Sequence, residues 1–476
     1  MKKIILLAMV VLLGLAVASP LIIGSNVETT FRANVARLDE MPFYTATIDS
    51  YDAGYGSAQA VVRLGFDMAA MTADLTPEER VAMQPYLDAI AQGFALNMDV
   101  RHGPLLLSGE RTFGLFRTRI SLPADLDLPE GMARILGNSG NAETVLTMGF
   151  GGDGELVITA PAFDFEDATG SLSFGGIDFH ADLQNWGYIY DATGNIGESR
   201  FTNLDNGSEV TLSPVTLALS GDMSEGIVAS TGQFEFDFTG MAVDTDTEMF
   251  RLEHMTMNTA ITSPTEETLD VVYQFGIESM SGVEMEETLE DLVVNFSLRN
   301  MDKAAVRAAA DTYMDPGFFA QDPLVIQAAM SAMMTNLYGS AEWYLDQLSF
   351  TYGDDVSLNM SGSLTVDPDL FSNPALAQNP FLLMAAIDVT LSLEFSEGLA
   401  GLAYEAFLRN QFDPNEIPAQ QIEQLIALQR SQLGPMLGQL VQTGTLKLAA
   451  NGYAVDLSLT DGNLLVNGAP GNLPFF

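Results

Sequence analysis

Cysteine is missing from all 476 residues, so disulfides and thiolate chemistry are both excluded. An exported chain of this kind would have to take its stability from a packed core. Lysine is almost missing too, with only Lys2, Lys3, Lys303 and Lys447. Histidine occurs three times, as His102, His180 and His254, and none has a second histidine at ligand spacing. That argues against a zinc site built of imidazoles. No G-x-S-x-G elbow and no phosphate-binding P-loop occur. No stripe of basic residues is available to neutralise phosphates, which excludes nucleic acid as a partner.

Acids are plentiful. The chain has 63 against 19 bases, a net charge of −44. They are spread along the chain rather than gathered in one tail. Spread acids with scarce lysine fit a surface adapted to a salty medium; a cation-attracting surface is the functional alternative. Pairs such as Asp125/Asp127 and Asp244/Asp246 arise readily at this acid content, and none completes a calcium loop. With 47% hydrophobic residues the chain can bury a large core, so it is not disordered. The 24 methionines suit core filling, or a surface for apolar ligands.

The charge is unevenly placed at the start. Lys2 and Lys3 precede a nearly unbroken apolar run from Ile4 to Ile23, and the first acid is Glu28. As a helix the run is roughly 30 Å long, the thickness of a bilayer's hydrocarbon core. A short positive end stays in the cytoplasm, so the rest is expected to be exported. Ala16-Val17-Ala18 also fits a signal-peptide cleavage site, but the run continues past it through Leu21, Ile22 and Ile23. No cysteine is present to make a lipoprotein anchor, and no second apolar stretch is of spanning length. The expectation is a single-pass inner-membrane anchor through residues 4–23, with the bulk of the chain in the periplasm.

Beyond the anchor the pattern alternates with period two. Phe234, Phe236 and Phe238 alternate with Glu235 and Asp237; Leu292, Val294, Phe296 and Leu298 alternate with Val293, Asn295, Ser297 and Arg299. The same holds from Ile387 to Phe395. Such alternation puts one apolar and one wet face on each strand. Turn signals recur at Asp153-Gly154, Asn206-Gly207, Asp461-Gly462 and Asn467-Gly468. A strand also follows Gly149-Phe150-Gly151-Gly152-Asp153-Gly154. This G-x-G-x-x-G match therefore reads as a hairpin and not as a dinucleotide loop, which would need a helix there.

Helix signals are sparser. Residues 25–40 read as a short helix after the anchor, and Thr76-Pro77-Glu78-Glu79 as a helix start. Later helices are expected at about 301–314 and 322–338, from Ser396, and over about 415–442 with an interruption near Gly434-Pro435. The fold class is thus α+β and β-rich: an N-terminal membrane helix, a long curved antiparallel meander, and helices mainly in the C-terminal third. The expected division is 1–24 anchor, 25–300 β-rich exported domain, and 301–476 mixed helix and strand on the same sheet.

Three landmarks occur in order: Tyr51-Asp52-Ala53-Gly54-Tyr55-Gly56-Ser57, then His102-Gly103-Pro104, then Asp461 to Gly468. In this the chain resembles the YdgA-like family of bacterial envelope proteins of unknown function, which carry one N-terminal anchor. The resemblance spans essentially the whole chain, though this chain is more acidic and poorer in lysine. It implies no activity, cofactor or catalytic residue; His102, Gly103 and Pro104 match its best-known landmark without a role. From backbone chemistry alone, His102-Gly103-Pro104 reads as a fixed extended turn.

No catalytic, cofactor or metal residue is expected. The leading role is a tethered, non-enzymatic structural or interaction accessory of the envelope. The alternative is a carrier of lipid or another apolar ligand along a curved sheet similar to those of AsmA-type proteins. Its apolar face would hold Phe234, Phe236, Phe238, Leu292, Val294, Phe296 and Leu298. The late helices look too short to cover that face, so it is expected to stay incompletely covered.

Overall fold

The computed structural model describes residues 27–36 in part, 44–66, 93–103, 114–121, 142–166, 170–225, 230–245, 249–283, 285, 287–313, 341–367, 386–411 and 419–471. The expected membrane helix at 4–23, the helices expected after Thr76 and over 322–338, and Pro104 lie outside the described residues. No described helix is long and apolar enough to cross a membrane.

The alternating segments become β1 (Tyr44–Ala53), β2 (Ser57–Phe66), β3 (Phe94–His102), β4 (Phe116–Ser121), β5 (Glu143–Met148), β6 (Gly154–Ala160), β7 (Phe163–Glu166), β8 (Gly170–Phe174), β9 (Ile177–Gln184), β10 (Ile189–Ile196), β11 (Ser199–Asn203), β12 (Glu209–Leu212) and β13 (Val215–Asp222). There follow β14 (Thr231–Asp244), β15 (Met249–Thr262), β16 (Thr268–Gly282), β17 (Leu289–Asp302), β18 (Glu342–Tyr352), β19 (Val356–Val366), β20 (Ile387–Phe395), β21 (Lys447–Ala449), β22 (Gly452–Thr460), β23 (Asn463–Val466) and β24 (Ala469–Pro470). Every registered pairing among them is antiparallel. The described helices are α1 (Lys303–Tyr313), α2 (Glu397–Gln411), α3 (Ala419–Arg430) and α4 (Leu433–Gln442). The chain is therefore β-rich, with few described helices, most of them C-terminal.

Two compact units form. The first takes Met1–Gly207, Ser213–Ser230 and Ala310–Pro323; the second takes Ser208–Leu212, Thr231–Ala309 and Leu324–Phe476. In the first unit the strand order is β1-β2-β3-β4-β5-β6-β9-β10-β13, with β7-β8-β11 as a side group. Its buried face is built on small side chains: Ala58, Val100, Ala181 and Ala192 are each at most 4% exposed. The register puts all four in one row across the sheet. Helical residues before β1 lie on this face, with Val35 packed against Ala46 and Val62.

In the second unit the order is β12-β14-β15-β16-β17-β18-β19-β20-β22-β23-β24, with β21 also on β22. Asp461 (φ 50°) with Gly462 (φ 74°), and Asn467 (φ 54°) with Gly468 (φ 81°), make the two closing hairpins. These left-handed pairs give the turn whose twist matches the flanking strands. Asp153-Gly154 behaves differently. Gly154 already belongs to β6, and Gly152 (φ 83°) supplies the left-handed position. The G-x-G-x-x-G stretch is a hairpin, as its following strand required.

Helix α2 begins where Ser396 caps it: the Ser396 hydroxyl accepts from the Leu399 N–H at 3.2 Å. The interruption expected at Gly434-Pro435 falls slightly earlier, at Ser431-Gln432 between α3 and α4. Pro435 sits in the first turn of α4, where an N–H has no intrahelical partner to lose.

Candidate functional site

The seven expected apolar-face residues come together. β14 and β17 are separated by β15 and β16, and the register aligns them row by row. Phe238 leads through Met255 and Ile277 to Leu292, and Phe236 through Met257 and Phe275 to Val294. Phe234 leads through Thr259 and Tyr273 to Phe296, and Leu298 stands opposite Val271. The rows do not stop there. The second continues from Val294 to Leu348, Met360, Leu393 and Val455, crossing eight strands. The third continues from Phe296 to Leu345, Gly362, Leu391 and Leu457. Residues directly opposite in a ladder share a face, so this is one apolar surface. Aromatic contacts link it: Phe236–Phe238 and Tyr273–Phe296 at 6.5 Å, and Phe296–Trp343 at 6.4 Å.

Coverage of this surface is uneven. At one end Leu269, Met301 and Ala341 form a buried cluster, with Ile261, Val271, Leu298 and Val306 of α1 against it. At the other, Leu433, Leu437 and Leu446 are buried against Phe395, Tyr453 and Val455. Between them Phe236, Met257, Phe275, Val294, Leu348, Met360 and Leu393 are all half-buried. These seven side chains keep part of their surface exposed, unlike the members of the two buried clusters. Helix α1 thus lies against one end of the face through Val306.

Sequence reading missed Met257, Phe275, Leu348 and Met360. Simple alternation fails in β18, where the register jumps between Leu345 and Leu348. The extra residue is Asp346. Its carboxylate accepts from Ser297 Oγ at 2.9 Å and from Arg299 at 3.2 Å. The Arg299 guanidinium lies 4.2 Å from the Tyr344 ring centre. The Tyr344 hydroxyl donates to Glu342 at 2.8 Å, and that bond raises its pKa above the ordinary tyrosine value. Here the structure corrects an expectation: Ser297, assigned to the wet face, is fully buried at 0% exposed. The bulge folds Asp346 and its partners over it, giving its hydroxyl the partner that burial requires.

The His102 landmark lies in the first unit. His102 is the last residue of β3, 4% exposed, in a row with Phe116 and Met148 on the buried face. Its N–H donates to Gly56 O at 3.0 Å, and the Gly103 N–H to Leu115 O at 3.1 Å. Gly103 has φ 119°, a conformation side chains rarely adopt, as its proposed turn role needs. The Tyr51 to Ser57 landmark and His102-Gly103 are therefore adjacent turns at one end of the same sheet.

His180 and His254 lie in β9 and β15. His254 departs from ordinary strand geometry (φ 46°) and its Nε2 is 2.9 Å from Asp237 Oδ2. That bond, then the nearby Glu278, holds its pKa above the usual histidine value.

An open cleft of about 720 Å³ lies between the β18–β19 turn and α2, lined by Asp354, Asp355, Ser357, Glu397, Arg430 and Asn451 among others. Among the described residues no group of three or more acids and histidines is placed to hold a metal ion.

A model of a family described as bacterial protein of unknown function (DUF945) matches residues 1–474. No curated protein matches the chain, and no solved structure does.

Proposed function

Because the chain belongs to the bacterial family of unknown function DUF945, which brings no activity with it, we propose a role from the chain's own residues and geometry. It is a membrane-tethered envelope protein that works by binding and not by catalysis. Its tether is the run Ile4–Ile23 behind Lys2 and Lys3, with the remainder on the periplasmic side. The finer likeness to YdgA-like proteins rests on the order of the three landmarks.

The binding role the geometry favours is that of carrier for a lipid chain or another long apolar ligand. One observation carries it: the apolar row from Phe236 to Val455 crosses eight strands, and its middle is only half-buried. At a strand spacing of about 4.8 Å, seven steps give roughly 34 Å, ample for an acyl chain. A long apolar surface left partly open marks a ligand or partner site.

The test is native mass spectrometry of the full chain, detergent-extracted from its own membrane. A co-purifying lipid mass is expected, and it should be lost when Phe275→Asp places a charge in the middle of the row. Protein carrying no lipid, and unable to take up a fluorescent fatty acid, would remove the carrier reading.

A second reading, the tethered interaction accessory, is favoured by the outer side of the helices. Phe407 (57% exposed) on α2, Leu428 (62%) on α3 and Met436 (45%) on α4 all face solvent. Cross-linking that captures an envelope protein at these positions, with no lipid bound elsewhere, would select that role.

A further inference from the structure

The turn end of the first unit's sheet holds four large aromatic side chains out in solvent. Tyr55, in the β1–β2 turn, is 58% exposed and Phe150, in the β5–β6 turn, 54%. Trp186 and Tyr188, in the β9–β10 turn, are 54% and 51% exposed. The strand order places these turns along one rim, and backbone hydrogen bonds join neighbours on it. His102 N donates to Gly56 O, Leu115 N to Met148 O, Trp186 N to Gly152 O and Met223 N to Tyr188 O, at 2.6–3.0 Å. Elsewhere the first unit's sheet buries mostly small aliphatic residues; Phe201 on β11 is also exposed, at 47%, but belongs to none of these turns.

The last turn is also strained. Asn185 (φ 49°) and Trp186 (φ 65°) both occupy the left-handed region. A bulky aromatic there is a genuine outlier, costing of order 1–3 kcal/mol. Gly152 makes room for the indole, since a Cβ on it would meet Nε1 at 2.9 Å. The strain thus holds a tryptophan on the rim with half its surface still in solvent.

A separate observation gives the rim a direction. The helical residues before β1 run back along that strand. Val35 packs against Ala46 and Val62, far from the rim, while the Phe31 ring is 5.6 Å from that of Tyr51, near it. From Val35 to Phe31 these residues run towards the rim, and in the sequence the apolar run ends at Ile23, a few residues earlier.

We propose that this rim rests in the interfacial zone of the bilayer, with Trp186, Tyr188, Phe150 and Tyr55 at headgroup level. The inference rests on the tethered reading above. Tryptophan and tyrosine suit that zone because one end of each is apolar and the other hydrogen-bonds. Charge at the rim is mixed: one residue in from it Arg101 stands opposite Arg117 and holds Asp99 at 3.0 Å, and the same row continues through Glu155, Asp182 and Asp191. Acids here and elsewhere disfavour an anionic surface, so the matching lipid is zwitterionic and the aromatic side chains carry the contact.

The test uses the full chain in phosphatidylcholine vesicles. Trp343→Phe leaves Trp186 as the only tryptophan. Flotation reads the tether, and quenching by brominated lipids reads the rim. The expected result is a floated protein whose Trp186 emission is lost most with bromines near the headgroup and least with bromines at the chain ends. Trp186→Phe in an otherwise native chain should abolish the headgroup-weighted part of the quenching, leaving only what reaches Trp343 on the apolar face of the second unit, which guards against misfolding of the first variant. A chain that stays out of the vesicles overturns both readings. A chain that floats with Trp186 unquenched overturns the rim proposal alone. Trp186 shielded only in native membranes, and not in lipid vesicles, also overturns it and assigns the rim to a protein partner.

Discussion

Replacing Ser396 with alanine tests how the second unit joins a helix to its sheet. The Ser396 hydroxyl accepts two backbone N–H groups: Leu399 at 3.2 Å, in the first turn of α2, and Ser357 at 2.9 Å, on β19. The Ser396 N–H in turn donates to Ser357 O at 3.1 Å. Loss of an N-cap costs about 1 kcal/mol. Stranding a second N–H costs about 1–3 kcal/mol more where water cannot reach it. Ser357 and Ser396 both line the open cleft, so water can partly replace the hydroxyl, and the lower end applies. The sum is roughly 2–3 kcal/mol. In a chain of two units global unfolding is not a two-state process, so the assay should be local. Hydrogen exchange of peptides covering Ser357 and the first turn of α2 should speed up roughly 30- to 150-fold, at 1.4 kcal/mol per factor of ten. Peptides from β5 and β6 in the first unit should be unchanged. Less than about a threefold change at α2 would refute the argument, because one cap alone is worth more than that.

Asn467→Ala should cost about 2–3 kcal/mol, since it removes amide bonds to Gly444 O and Thr445 O and strains a left-handed turn; Asn467→Gly should recover only the backbone share, read by exchange at β22–β23. Gly103→Val should destabilise the first unit by about 1–3 kcal/mol, because φ is 119° there; exchange at β3–β4 that is unchanged would contradict the turn role. Thermal stability should rise steeply from low to molar salt, as screening relieves the self-repulsion of a −44 chain; a flat response counts against adaptation to salt. His254 has a raised pKa, so its pairing with Asp237 stabilises fully below about pH 6.5 and fades as pH climbs through the higher folded value. Proton-detected titration should show that value, and His254→Gln should flatten the local stability change above pH 6.5.

The sequence by itself determined what depends on near neighbours. Period-two runs at Phe234–Phe238 and Leu292–Leu298 became strands with those residues on one face, because side-chain direction alternates whatever the partner. Asp461-Gly462 and Asn467-Gly468 became tight hairpins, because few residue pairs tolerate two left-handed positions. Ser396 became a cap because its hydroxyl reaches the N–H three residues on. Pairing decided the rest. That Phe236 and Val294 share a row depends on the registers of β15 and β16, which no local pattern encodes. The bulge at Asp346 shifted the alternation of β18, hid Leu348 from a period-two reading, and buried Ser297, whose own strand assigned it to solvent. Tyr55, Phe150, Trp186 and Tyr188 are scattered along the chain, and only strand order brought their turns to one rim. A face or a rim is a sum over strands far apart in sequence, so its residues could be named from the sequence only in part, and its continuity only from the fold.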